Sequence, residues 1–127
     1  MIIGVGTDMV QVERICRAAG RRTGFLDRVF SSREQEICGN SPRPWESYAG
    51  RFAAKEAFLK VCGVGIFSCD LRTIEIHRNE QGKPFYVLSG TTVDLARERG
   101  IQQMHLSIAH EGAMALAVAI GEGVLCD

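Results

Sequence analysis

The sequence predicts an α+β fold, with an antiparallel β-sheet wrapped on a long core helix. Three observations predict it. From Phe52 to Cys62 every residue is apolar except Lys55, Glu56 and Lys60, so the helix is apolar nearly all round and belongs in a core. Residues 2–10 and 104–120 alternate with the period of strands. Residues 71–88 read as two strands around the turn Asn79-Glu80-Gln81-Gly82-Lys83-Pro84, which makes a hairpin.

Taken in order, Ile2–Val10 is a strand with Ile3, Val5, Thr7 and Met9 on one face and Gly4, Gly6 and Asp8 on the other. Glycine weakens a strand and often marks a close approach of backbone or ligand. Here the two glycines are expected to leave open space along the face that carries Asp8. Asp8 itself either faces that space as a functional carboxylate or caps the next helix. Gln11–Ala19 is a short amphipathic helix with Val12, Ile15, Cys16 and Ala19 inward. Arg14, Arg17, Arg21, Arg22 and Arg28 follow one another closely, with Phe25 and Leu26 among them and Asp27 the only acid after Arg14. Such a patch suits an acidic protein, a phosphate or an anionic surface, or is a solvated face.

Ser31-Ser32-Arg33-Glu34 has the capping-box form and opens a short helix to about Cys38. Gly39–Pro44 is a loop by composition. The core helix runs from Pro44 or Trp45 to Cys62 and stops at Gly63. Gly63 and Gly65 could cradle phosphate through backbone N–H groups, or merely cap the helix. Gly90–Arg99 is a further helix. In Met104–His110 the residues Met104, Leu106 and Ile108 share one face, and His105, Ser107 and Ala109 the other. His105, Ser107 and His110 are expected to cluster at one hairpin, as site residues or as structural histidines. After the turn Glu111-Gly112, the strand Ala113–Ile120 has an alanine face, which admits a helix closely, and a large apolar face; burial on both sides is expected.

At about 100° per residue, Trp45, Ala49, Phe52, Ala53 and Leu59 fall within roughly 60° of Glu56 on the core helix. Glu56 is therefore expected in a buried stripe, where an unpaired carboxylate costs several kcal/mol. Either Lys60, one turn on, pairs with it, or a metal ion does, with Lys60 on a bound anion.

The chain has 127 residues, 46% hydrophobic and 24% charged, with 15 basic and 15 acidic side chains. One domain, 1–127, accounts for that length. Zero net charge argues against a general nucleic-acid footprint. The five cysteines include no C-x-x-C pair and read as reduced thiols. No apolar run reaches 18 residues and no signal segment opens the chain, so no membrane contact and a cytoplasmic location are expected.

Three blocks, taken together, carry a resemblance. Ile3-Gly4-Val5-Gly6-Thr7-Asp8-Met9-Val10 with Glu13-Arg14-Ile15, then Ala49-Gly50-Arg51-Phe52-Ala53-Ala54-Lys55-Glu56-Ala57 with Lys60, then His105-Leu106-Ser107-Ile108-Ala109-His110 resemble the bacterial holo-[acyl-carrier-protein] synthase family of the 4′-phosphopantetheinyl transferase superfamily. The blocks come in the family's order and span nearly the whole chain. They depart from it at Ala109, where Ser or Thr is common.

The resemblance implies the superfamily's fold and a role in fatty acid biosynthesis and lipid metabolism. The activity it implies is transfer of 4′-phosphopantetheine from coenzyme A to a serine of apo acyl carrier protein, releasing adenosine 3′,5′-bisphosphate, with Mg2+ as cofactor. By the same resemblance Asp8 and Glu56 are metal ligands, and these two with Lys60 are the catalytic set. Arg51, Lys55, Gly63, Gly65, His105, Ser107 and His110 lie around coenzyme A. Arg14, Arg21 and Phe25 meet the carrier protein. A homotrimer with active sites between subunits is implied. The base that takes the serine proton is left open among Glu56, Asp8 and a metal-bound water. A non-catalytic module that docks acidic proteins, and a structural oligomer, are the competing readings.

Overall fold

In the computed structural model, which describes residues 1–125, the elements follow the expected order. They are β1 (Ile2–Gln11), α1 (Val12–Arg21), α2 (Phe25–Val29), α3 (Ser32–Gly39), α4 (Pro44–Cys62), a 3₁₀ turn at Leu71–Thr73, β2 (Ile74–Arg78), β3 (Pro84–Leu88), α5 (Thr91–Glu98), β4 (Ile101–Glu111) and β5 (Met114–Gly123). Antiparallel strands form a three-stranded sheet ordered β1-β5-β4 and a separate β2-β3 hairpin. No helix among the described residues is long and apolar enough to cross a membrane.

Helix α4 is the centre. Pro44 starts it, and Gly63 ends it in the left-handed region at φ 72°. There Val64 N–H donates to Leu59 O at 3.0 Å and Gly63 N–H to Lys60 O at 3.2 Å, the paired bonds of a Schellman ending. Ala49, Ala53, Ala54, Ala57 and Phe58 are fully buried. The alanine face of β5 meets this helix: Ala115, Ala117 and Ala119 have no exposed surface.

The glycines of β1 serve the same close packing. A Cβ on Gly4 would lie 2.6 Å from the Val61 carbonyl oxygen, and one on Gly6 would collide with that of Ala57. The expected open space is therefore filled by the backbone of α4. The two glycines hold β1 against the helix, so that Asp8 comes beside Glu56. Gly6→Ala should force strand and helix apart, cost about 3 kcal/mol in urea unfolding, and reduce activity with it. Unchanged stability would contradict this packing.

The large face of β5 differs from expectation. Register pairs Met9 with Leu116, and Leu116 with Ala109; Thr7 with Val118 with Ser107; and Val5 with Ile120 with His105. On that outer face Val5 is 56% exposed, Met9 61% and Leu116 38%. No element among the described residues covers it, so β5 is buried on one side.

The capping box forms as expected. Glu34 N–H donates to Ser31 Oγ and Ser31 N–H to Glu34 Oε1. Helix α2 has no counterpart among the expected elements; it buries Phe25 at 9% exposure, 6.5 Å from the Phe52 ring. Cys38 and Cys62 are buried free thiols, while Cys16 and Cys69 are half-buried. Burial pushes the Cys62 thiol up to about 11. Cys126 lies outside the described residues.

Candidate active site

Between α1–α2 and the segment after α4 lies a cleft of about 870 Å³. Asp8 from β1 and Glu56 from α4 line it. Arginines line it too: Arg14, Arg17 and Arg21 on α1, Arg22 just beyond, and Arg28 on α2. Ile66 and Phe67 come from the segment after α4, and Phe25 and Phe52 add apolar surface. Asp70, the other acid in the lining, is already held by Arg72 at 2.8 Å.

Glu56 is half-buried rather than buried, because it lines the cleft together with its wheel neighbour Phe52, which is half-buried too. Burial and then the Asp8 charge push its carboxyl above the ordinary carboxylate range, while Lys60 and Arg14 pull it back. Burial raises Asp8 likewise, with Lys60 the main opposing influence. The Glu56–Lys60 ion pair, one of the two readings open in the sequence, does not form. Lys60 Nζ instead donates to Thr7 O at 2.7 Å and stands 3.6 Å from Asp8 Oδ1. Asp8, Glu56 and Lys60, distant in sequence, thus meet at one place.

The other expected site residues divide. Arg14 and Arg21 are exposed in the lining of the cleft that holds Asp8 and Glu56, whereas Phe25, also in that lining, is buried in the core. Gly63 and Gly65 are exposed at the end of α4, and a Cβ added at either would meet nothing within 4 Å. Lys55, expected around coenzyme A, is fully buried. Its Nζ donates to Glu34 Oε1 at 2.7 Å, Leu71 O at 2.8 Å and Ile74 O at 2.6 Å. Three acceptors use all three N–H bonds of an ammonium, so none is left for a ligand. Burial pulls this lysine's pKa down, and the Glu34 carboxylate pushes it back up.

The expected hairpin cluster of His105, Ser107 and His110 also comes apart. Successive strand residues point to opposite faces. His105 and Ser107 lie on the outer sheet face, where His105 Nε2 meets Glu122 Oε1 at 2.9 Å. His110 turns toward α4, where its Nε2–H donates to Glu46 O at 2.9 Å. It borders a second, smaller cleft of about 360 Å³ with Ser41, Arg43, Ser47 and Arg78. Buried Arg51 stands behind that cleft, donating from Nη1 to Ser47 Oγ at 2.6 Å and from Nε to Ile76 O at 3.1 Å. Sequence reasoning does not single out Arg43 or Arg78; no local pattern brings a loop arginine and a hairpin arginine together. Glu46 and Glu56 are ten residues apart on α4, so the two clefts open about 15 Å apart along it.

A model of the 4′-phosphopantetheinyl transferase superfamily matches residues 4–119. A holo-[acyl-carrier-protein] synthase of Caldanaerobacter subterraneus subsp. tengcongensis is 44% identical over 123 residues, covering 97% of each chain. The crystal structure of holo-[acyl-carrier-protein] synthase from Neisseria meningitidis superposes with a TM-score of 0.88 at 34% identity, over 96% of this chain and 99% of that one. A Bacillus anthracis holo-(acyl-carrier-protein) synthase, solved in complex with CoA (3′,5′-ADP), gives 0.80 at 31% identity, over 98% and 99%. The fold and its cleft define a transferase of the 4′-phosphopantetheinyl transferase superfamily, to which this chain belongs. Within that superfamily it groups with the holo-[acyl-carrier-protein] synthases.

Proposed function

We propose that this enzyme moves 4′-phosphopantetheine from coenzyme A to a serine of apo acyl carrier protein, releasing adenosine 3′,5′-bisphosphate, with Mg2+ held by Asp8 and Glu56. The observation that carries the reading is the meeting of these two carboxylates with Lys60 beside an arginine-lined cleft. Magnesium takes oxygen ligands, commonly one or two carboxylates with phosphate oxygens and water. The donor set fits. Among the described residues no third His, Cys, Asp or Glu joins the pair, which leaves coordination positions for substrate oxygens and water. Burial and mutual repulsion disfavour the charged form of Glu56, and a divalent cation relieves that cost. Bound there, the ion supplies positive charge against the diphosphate oxygens.

The protein's own groups do the rest. The ammonium of Lys60 sits over Asp8, anchored by Thr7 O, where it neutralises charge on the departing bisphosphate. Gly63 and Gly65 leave room for the substrate to approach the end of α4. Transfer breaks the bond from the pantetheine phosphorus to the bridging oxygen and makes one to the serine oxygen. The serine proton would pass to Glu56 or Asp8, or to water held beside them. Positioning and charge neutralisation carry most of such a reaction.

Arg14 and Arg21 receive the acidic carrier protein at the mouth of the cleft. The outer sheet face, with Val5, Met9 and Leu116 exposed, suits packing against further copies in a homotrimer. That packing would bring His105 and Ser107 to an active site shared between subunits. His110 would reach coenzyme A only at the second cleft, with buried Arg51 behind it, and Lys55 supports the core instead.

The test is a mass measurement. Protein, CoA, magnesium and apo carrier protein are mixed, and the carrier should gain one phosphopantetheine. A carrier of unchanged mass, with the protein folded, would leave the docking module and the structural oligomer. Arg14→Glu should raise the carrier KM roughly tenfold with little effect on that of CoA. Equal effects on both would remove Arg14 from carrier docking.

A further inference from the structure

We infer, on the reading that the carrier protein enters the larger cleft, that Phe67 is a second docking element for it, an apolar contact in the same cleft as the arginines. Phe67 is 99% exposed, the most exposed large apolar side chain among the described residues. The backbone that carries it is closed in a turn. Ser68 N–H donates to Gly65 O at 3.0 Å, which closes a turn with Ile66 and Phe67 at its centre. Ile66 packs on the core beneath, so the turn is anchored while its tip is free.

The surroundings select the occupant. Phe67 lines the same cleft as Arg14, Arg17, Arg21, Arg22 and Arg28. Among the described residues Arg14, Arg21 and Arg22 form no ion pair. An acidic helix carrying the acceptor serine toward Asp8 and Glu56 would set its carboxylates against the arginines. Its apolar side would then cover Phe67. A nucleotide alone would leave most of this basic lining unused. Aromatic residues, phenylalanine among them, and arginine are enriched at protein interfaces.

Phe67→Ser should raise the carrier KM about tenfold, with kcat and the CoA KM within about twofold of the parent. Phe67→Leu should keep most of the affinity. Phe67→Trp, read as the difference from the parent's Trp45 emission, should shift to the blue on addition of apo carrier protein and not of CoA. A blue shift with CoA alone would overturn the inference in favour of nucleotide stacking. Emission already blue-shifted before carrier is added would overturn it in favour of cover by a second copy. If Arg14→Glu weakens carrier binding and Phe67→Ser does not, the docking reading stands and Phe67 drops out of it. If the parent protein modifies no carrier at all, both fall.

Discussion

Glu56→Gln should lower transfer on the order of a hundredfold to a thousandfold, the loss expected when a group that stabilises transition-state charge is removed, and should leave the fold intact. The side chain keeps its size, so packing around Phe52 is unchanged; what disappears is one of the two carboxylates proposed to hold the metal. Stability should move the other way. The Glu56 carboxyl is raised in the folded protein, chiefly by burial and then by Asp8. A raised acid contributes stability that is fully present below its unfolded pKa and is lost as pH rises through its folded one. At neutral pH without metal the charged form is therefore a cost, and removing it should raise Tm. In the parent protein magnesium should raise Tm at neutral pH, and that gain should fade as pH falls through the raised carboxyl values, because protons compete for the ligands. Full activity in Glu56→Gln, or a magnesium effect on Tm indifferent to pH, would contradict the assignment.

Lys55→Met should cost about 3–5 kcal/mol of stability, a large part of the roughly 5–15 kcal/mol that holds an ordinary domain folded. The substitution leaves the Glu34 carboxylate fully buried without its cation. It also strips the partner from Leu71 O and Ile74 O. Glu34 holds more than the lysine, since its Oε2 accepts from Ile76 N–H at 3.1 Å and its Oε1 closes the capping box of α3. One carboxylate thus ties α3, α4 and β2 together. Glu34→Gln in the Lys55→Met background removes the stranded charge, while its single amide oxygen keeps one of the two bonds that Glu34 accepts from Ser31 N–H and Ile76 N–H. The double variant should unfold at higher urea than the single Lys55→Met. Additive losses would show that the two side chains do not act as a pair.

Much of the fold is legible in the sequence because its signals are local. The apolar run 52–62, Gly63 after it and the Ser31–Glu34 spacing each specify their element without help from distant residues. The alanine face of β5 even announces the helix it meets. What stays hidden depends on long-range contacts. Nothing in the neighbourhood of Lys55 names Glu34, which lies 21 residues away, so sequence reasoning puts the buried charge on Glu56 instead of on its neighbour. Gly4 and Gly6 signal a close approach, but whether ligand or helix fills the space depends on the register of β1 on α4. The division of His105 from His110 is readable from the parity of their positions. Phe25 sits among arginines in the sequence and still turns inward, because Phe52 offers it an apolar partner. For the site, the resemblance carries Asp8, Glu56 and Lys60 together, and the geometry of β1 on α4 supplies the physical reason they can act as one.

An anomalous difference map settles the central claim most directly. Crystals grown with CoA and manganese in place of magnesium should show one ion between the carboxylates of Asp8 and Glu56, touching diphosphate oxygens, with the Lys60 ammonium alongside. A map with the diphosphate bound and the ion elsewhere, or with either carboxylate turned away from it, would contradict the account.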